Sequence, residues 1–169
     1  MPALEIERKF IIKLPEAELL KSFAEYTESE IEQIYLNPRP PFNSRRVRRR
    51  AYRLGRVLYF ETAKRRISKL SAEESEREIS EVEYRELILD IEEGTRPIVK
   101  TRKTFTYMGK VFEIDIYPEW KRTCIMEVEL SSESESFAMP PEIEIIREVS
   151  GIGEYSNHAM AKRFPKECE

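Results

Sequence analysis

The sequence predicts an α+β fold in which about eight mostly sequential strands form an antiparallel sheet or barrel, with helices packed outside it. Three observations lead there. Charged residues recur at every second position in segment after segment, the period of an extended strand. Proline- and glycine-bearing stretches punctuate those segments at short intervals. Helical spacing appears in only three places, and the strand-like segments mostly follow one another directly.

Leu4 to Lys13 alternates charge with apolar residues and reads as the first strand. Pro15 opens a short helix carrying Leu19, Leu20 and Phe23 at helical spacing. Ile31 to Leu36 is a brief β-like run, and Pro38, Pro40 and Pro41 make the next stretch a loop. Ser44 to Tyr52 alternates again, Gly55 marks a turn, and Val57 to Arg66 is the following strand. Ile67 to Glu73 reads as a connection and Glu74 to Ile79 as a strand. Ser80, with Glu83 three residues on, is a capping box for a second helix running to about Glu92 and stopped by Gly94. Ile98 to Met108 and Lys110 to Tyr117 form a hairpin across Met108-Gly109. Thr123 to Leu130 is a further strand, and Tyr155 to Phe164 a last helix.

The bulk composition narrows the classes of function. A chain of 169 residues fits one domain, taken as 1–169. It carries 29 basic against 32 acidic residues, a net charge of −3, which argues against a nucleic-acid binder despite the Arg45–Arg50 run. Two cysteines, Cys124 and Cys168, suggest no disulfide framework. No apolar run approaches the roughly 20 residues of a membrane span, and the N-terminus shows no apolar signal region. A cytoplasmic protein is expected.

The alternation assigns the charges to faces. Glu5, Glu7 and Lys9 share one face of the first strand, opposite Ile6, Arg8 and Phe10. Arg46, Arg48 and Arg50 share a face, as do Thr62, Lys64 and Arg66, then Glu74, Glu76 and Glu78. Lys100 and Arg102 pair on a later strand; Glu113 and Asp115 follow, then Glu127 and Glu129. One reading makes these the solvent side of a half-buried sheet. Against it, the face is segregated: some strands carry only acids and others only bases. Basic strands suit an anion with several phosphates, since guanidinium binds phosphate in bidentate fashion. Acidic strands suit hard divalent cations such as Mg²⁺. The two go together, because metal ions bridge and neutralise phosphate oxygens.

The opening Glu5-Ile6-Glu7-Arg8-Lys9 resembles the E-x-E-x-K signature of the CYTH superfamily, the triphosphate tunnel metalloenzymes. Arg46-Val47-Arg48, Thr62-Ala63-Lys64, Glu74-Ser75-Glu76 and Lys100-Thr101-Arg102 are similar to that family's R-x-R, T-x-K, E-x-E and K-T-R elements, in its order. Glu113-Ile114-Asp115, Glu127-Val128-Glu129, Glu148-Val149-Ser150 and Tyr155-Ser156-Asn157 resemble its later pieces. The resemblance implies an eight-stranded antiparallel closed barrel forming a tunnel open at both ends. It implies that Glu5, Glu7, Glu127 and Glu129 hold Mg²⁺ or Mn²⁺, and that Lys9, Arg46, Arg48, Lys64, Lys100 and Arg102 bind a triphosphate. Glu5, Glu7, Lys9, Glu74, Glu76 and Asp115 form the implied catalytic set, with Glu113 in the acidic lining. Ala72 stands where relatives often carry Arg, and Asn157-His158 where some place Lys. His158 itself reads as a surface or helix-packing residue, with the tunnel mouth as the alternative, and Tyr35 as core, with the tunnel edge as the alternative.

The expected reaction is metal-dependent hydrolysis of a short triphosphate, inorganic tripolyphosphate first. An adenylate cyclase of the family's other type and a thiamine triphosphatase are the enzymatic alternatives. A polyphosphate-binding module and a structural sheet with solvated charge ladders are the non-enzymatic ones. No serine, cysteine or histidine nucleophile arrangement and no phosphate-binding P-loop is present. A small-molecule triphosphate is the expected partner, with neither nucleic acid nor membrane, and family habit allows pairing with a second copy of the chain.

Overall fold

A computed structural model describes residues 2–168; Met1 and Glu169 lie outside it. The eight expected strand segments form β1 (Ala3–Lys13), β2 (Ala24–Leu36), β3 (Ser44–Tyr52), β4 (Val57–Arg66), β5 (Ser71–Ile79), β6 (Ile98–Tyr107), β7 (Lys110–Ile116) and β8 (Thr123–Glu129), and a ninth strand, β9 (Ile145–Glu148), joins them. Three short helices accompany them, α1 (Ala17–Lys21), α2 (Glu81–Leu87) and α3 (Asn157–Lys162).

The strands run in the order β5-β4-β3-β2-β6-β7-β8-β1, every pair antiparallel, and β1 pairs back to β5 to close an eight-stranded barrel. Closure is partial along β1. Ala3 to Ile6 pair with β5, while Phe10 to Ile12 take β9, which lies outside the ring. Between them, the Glu7 amide donates to the Leu70 carbonyl at 3.1 Å and the Lys9 amide to Ser150 Oγ at 2.8 Å. The β1 backbone is therefore satisfied through the gap where its partner changes.

Local signals account for several boundaries. Met108 and Gly109 both take positive φ, 47° and 76°, the backbone of a tight type I′ hairpin whose twist matches the flanking strands. Ser80 Oγ accepts the Glu83 amide at 3.1 Å and starts α2. That helix is shorter than expected: it tightens to a 3₁₀ turn at Ile88–Asp90 before Gly94. The last helix is also shorter, preceded by a 3₁₀ turn at Gly153–Tyr155. β2 runs 13 residues and β5 begins at Ser71, both further back than expected. β9 was not expected at all.

The apolar core lies mainly outside the barrel. Ile6, Phe10, Phe105, Phe112, Ile114, Met126 and Val128 point outward from β1, β6, β7 and β8, and Leu20 of α1 and Ile143 close over them. On another side, Ile34, Leu36, Val47 and Ile79 take Tyr84 of α2. A third cluster fills one end of the interior. Ile11, Tyr35, Ile98 and Ile125, on the inward faces of their strands, and Tyr117 just past the end of β7 pack with Met160 and Ala161 of α3. The tunnel is thus not a straight bore open at both ends. At this end it skirts an apolar plug, and Ser156, Asn157 and His158 form part of its lining. Among the described residues no helix is long and apolar enough to cross a membrane.

Candidate active site

The interior holds a cavity of about 340 Å³ lined mainly by charged side chains. Alternation puts them there. Antiparallel partners point to the same side, so Lys64 faces Glu74, Thr62 faces Glu76, Lys9 faces Glu127 and Arg102 faces Asp115. Of the expected residues, Glu5, Glu7, Lys9, Arg46, Arg48, Lys64, Glu74, Glu76, Arg102, Glu113, Glu127 and Glu129 line the cavity together. Lys100 and Asp115 do not reach it; they sit beneath the lining, fully buried.

The opposed charges engage one another. Lys64 Nζ lies 2.6 Å from Glu5 and 3.1 Å from Glu74. Lys9 Nζ lies 3.2 Å from Glu127 and donates to the Tyr155 carbonyl at 3.2 Å. Glu76 accepts from Thr62 Oγ1 at 2.8 Å and from Arg48 Nη2 at 3.2 Å. Arg102 donates through Nε and Nη2 to Asp115 at 2.7 and 2.8 Å and through Nη1 to Glu113 at 2.7 Å. Lys100 Nζ completes this buried knot at 2.7 Å from Asp115.

Protonation follows from burial and neighbours. Burial raises the Asp115 carboxyl, but Arg102 and Lys100 outweigh it and hold Asp115 well below the usual carboxylate range. Burial drives the Lys100 ammonium down to about 7, against the attraction of Asp115. Burial, then Glu127, pushes Glu7 up to about 8. Glu127 goes the other way, to about 2, because Lys9 overcomes the effect of burial. Burial, Glu113 and Glu5 raise Glu129. Burial and the neighbouring Arg46 and Arg102 lower Arg48 to about 10.

The site is unbalanced in two places. Arg46 and Arg48 each keep a buried Nε–H without a partner among the described residues, on the wall formed by β3. Glu7 and Glu129 stand directly opposite each other on β1 and β8, and neither has an ion-pair partner among the described residues. Like charges directly opposite on a sheet destabilise each other. Unpaired guanidinium donors suit an anion, and facing carboxylates suit a hard cation. The donor chemistry thus fits a divalent metal. In this arrangement no three carboxylates converge among the described residues. Lys64 and Lys9 draw Glu5 and Glu127 aside, so those two would have to be released to join Glu7 and Glu129.

Residues outside the expected site set also line the cavity. His158 faces the cavity rather than the surface; its ring stacks on Tyr35 with centroids 4.7 Å apart, and Nε2 lies 2.6 Å from Glu92. Tyr35 belongs to the plug and also lines the cavity. Arg50, Arg66, Asn43 and Ser44 complete the lining at the ends of β3 and β4. Arg50, Arg66 and Ser44, the first residue of β3, were legible from their alternation; Asn43 sits in the loop before it, where no period signals a direction.

The family model for the CYTH domain matches residues 3–164 of this chain. Among solved structures, the chain is similar to the inorganic triphosphatase NE1496, at 30% identity, covering 95% of this chain and 96% of that one, with a TM-score of 0.56. It is also similar in fold to protein PH1819 from Pyrococcus horikoshii OT3, at 23% identity, covering 77% of this chain and 80% of that one, with a TM-score of 0.57. None of the curated proteins matches it by sequence. Triphosphate tunnel enzymes of the CYTH family generally use divalent metal ions.

Proposed function

This chain belongs to the CYTH domain family, and we propose that it is a metal-dependent triphosphatase acting on inorganic tripolyphosphate. The observation that carries the reading is a basic wall facing unpaired acids across one cavity: Arg46, whose Nε–H has no partner among the described residues, and Arg48 on one wall, Glu7 and Glu129 on the other. Similarity along nearly the whole chain to a protein described as an inorganic triphosphatase supports it.

In this reading Lys9, Arg46, Arg48, Lys64 and Arg102 bind the phosphate chain, exchanging their present carboxylate partners for phosphate oxygens. Lys100 and Asp115 act from below. Asp115 fixes the Arg102 fork through two hydrogen bonds and is a positioning residue rather than one that touches substrate. Glu5, Glu7, Glu127 and Glu129 would hold Mg²⁺ or Mn²⁺, which neutralises phosphate charge when bound. Glu74 and Glu76, released by Lys64 and Arg48, remain as free carboxylates beside the chain, suited to orienting water for in-line attack. The described residues form one unit, with Cys124 and Cys168 free, as suits a reducing cytoplasm.

The test is phosphate release from tripolyphosphate, ATP and thiamine triphosphate, each with EDTA, Mg²⁺ or Mn²⁺. Metal-dependent release from tripolyphosphate, well above the other two, is expected. Pyrophosphate with cyclic nucleotide from ATP would instead place the protein with the cyclases. Tight binding without turnover would make it a polyphosphate-binding module.

A further inference from the structure

Gln33 is the least satisfied polar side chain in the barrel. It lies on the inward face of β2, directly opposite Arg48 on β3 and Ile98 on β6. It is wholly excluded from solvent, and neither its amide nitrogen nor its carbonyl oxygen has a hydrogen-bond partner among the described residues. Ile98 opposite it on β6 and Ile31 two residues away on β2 are apolar, and Lys100 opposite Ile31 is held by Asp115, so none of these neighbours satisfies the amide. A buried unpaired amide costs stability that an apolar side chain of the same length would not. Such a cost is retained where another state of the protein needs the group.

Arg48 identifies that state. Its Nη2 makes one 3.2 Å bond to Glu76, and its buried Nε has no partner among the described residues. Directly opposite residues on antiparallel strands bring their Cβ atoms to about 5 Å, within reach for a glutamine and an arginine. A guanidinium that presents both Nη groups to a phosphate in bidentate fashion turns its Nε–H away from it, and that N–H then needs an acceptor behind it.

We propose that Gln33 is a positioning residue for Arg48: in the anion-bound barrel its carbonyl oxygen accepts the Arg48 Nε–H and fixes the guanidinium fork toward the phosphate chain. This rests on the reading that the cavity takes a polyphosphate. It extends that reading by giving the anion-bound site a residue that never lines the cavity.

The experiment compares wild type, Gln33→Met, Arg48→Lys and the double variant, by thermal unfolding with and without tripolyphosphate and by equilibrium binding of tripolyphosphate. Methionine matches glutamine in length and removes both unpaired polar atoms. Empty Gln33→Met is expected to melt higher than wild type by roughly 2–4 °C, while its Kd for tripolyphosphate rises about tenfold, the value of one hydrogen bond to a charged group. Lysine keeps the charge but has no Nε–H, so in the Arg48→Lys background Gln33→Met should change Kd less than twofold. A purely structural glutamine would lower the melting temperature when replaced and would weaken binding equally in both backgrounds, and either result overturns the proposal. So does an unchanged Kd in Gln33→Met. Failure of wild type to bind tripolyphosphate would overturn the functional reading and this inference together, whereas failure confined to the variants overturns this inference alone.

Discussion

Replacing Glu7 by Gln should remove turnover and, in the empty protein, also remove a pH-dependent loss of stability. Glu7 sits beside Glu127 and opposite Glu129, buried, and holds its proton up to about 8 where an unperturbed glutamate releases it near 4.5. Its folded pKa is raised above the unfolded value. The proton-bound form therefore contributes stability fully below pH 4.5, and this is lost as pH rises toward 8. Within that window the folded chain binds more protons than the unfolded one, so the unfolding free energy falls with pH. At about 1.4 kcal/mol per pH unit the whole window is worth at most about 5 kcal/mol, and relaxation of the pair Glu7–Glu127 will reduce it. Even half of that is a large share of the roughly 5–15 kcal/mol that holds a domain together. The assay is urea unfolding in EDTA at constant ionic strength, from pH 5 to 8.5, on wild type and Glu7→Gln. The two should be of similar stability near pH 5 and diverge upward, with the glutamine variant the more stable by about 2–4 kcal/mol at pH 8.5. Parallel curves across the range would refute the reasoning, because they would mean that Glu7 ionises with no penalty from its neighbours.

Asp115→Asn should cost about 3–5 kcal/mol, since it leaves Arg102 and Lys100 buried without their shared counter-charge; an unfolding midpoint near that of wild type would show that the knot is not holding the floor. Arg48→Ala should weaken tripolyphosphate binding by about 2 kcal/mol or more, with a smaller salt dependence, and calorimetry at two ionic strengths reads both; unchanged affinity would remove Arg48 from the anion site. Gly151→Ala should destabilise by about 1–3 kcal/mol. Gly151 has φ +69°, and a Cβ there would meet Lys69 Cγ at 2.2 Å and the Lys69 carbonyl oxygen at 2.9 Å. A thermal midpoint within a degree of wild type would mean that the loop yields freely.

The site was more legible than the elements around it, and the reason is geometric. A strand writes its two faces on alternate letters, so Glu5, Glu7 and Lys9 separate from Ile6, Arg8 and Phe10 without knowledge of the partners. Arg46 and Arg48, Lys64, Glu74 and Glu76, and Glu127 and Glu129 followed by the same rule, and the structure brings them to one cavity. The rule does not give depth. Lys100 and Asp115 obey the same alternation as Arg102 and Glu113 but lie one layer lower, because their height depends on the plug formed by Ile11, Tyr117 and Ile125. Gln33 was missed although it lies in the expected run Ile31 to Leu36, because Ile34, Tyr35 and Leu36 are apolar in succession and leave no alternation to mark the inward face. β9 is four residues long and exposed throughout, so it carries no burial pattern to read. His158 reached the cavity through a contact with Tyr35, more than a hundred positions away in sequence, which no local period encodes.

Because the apolar clusters that hold the fold sit largely on the outer faces of the same strands whose inner faces carry the charges, stability and chemistry share a backbone but not a side. That arrangement makes the chain tolerant and fragile in different ways. A substitution on an inward letter can exchange one ligand group for another while the packing outside goes undisturbed, so substrate preference is free to drift on a constant frame. The insertion or loss of a single residue within a strand is the opposite case. It would turn Phe112, Ile114 and Val128 into the lumen and Glu113, Asp115 and Glu127 into the core, exchanging the two alphabets at one stroke. Variation in this protein should accordingly take the form of replacements in the strands, with changes of length confined to the loops between them.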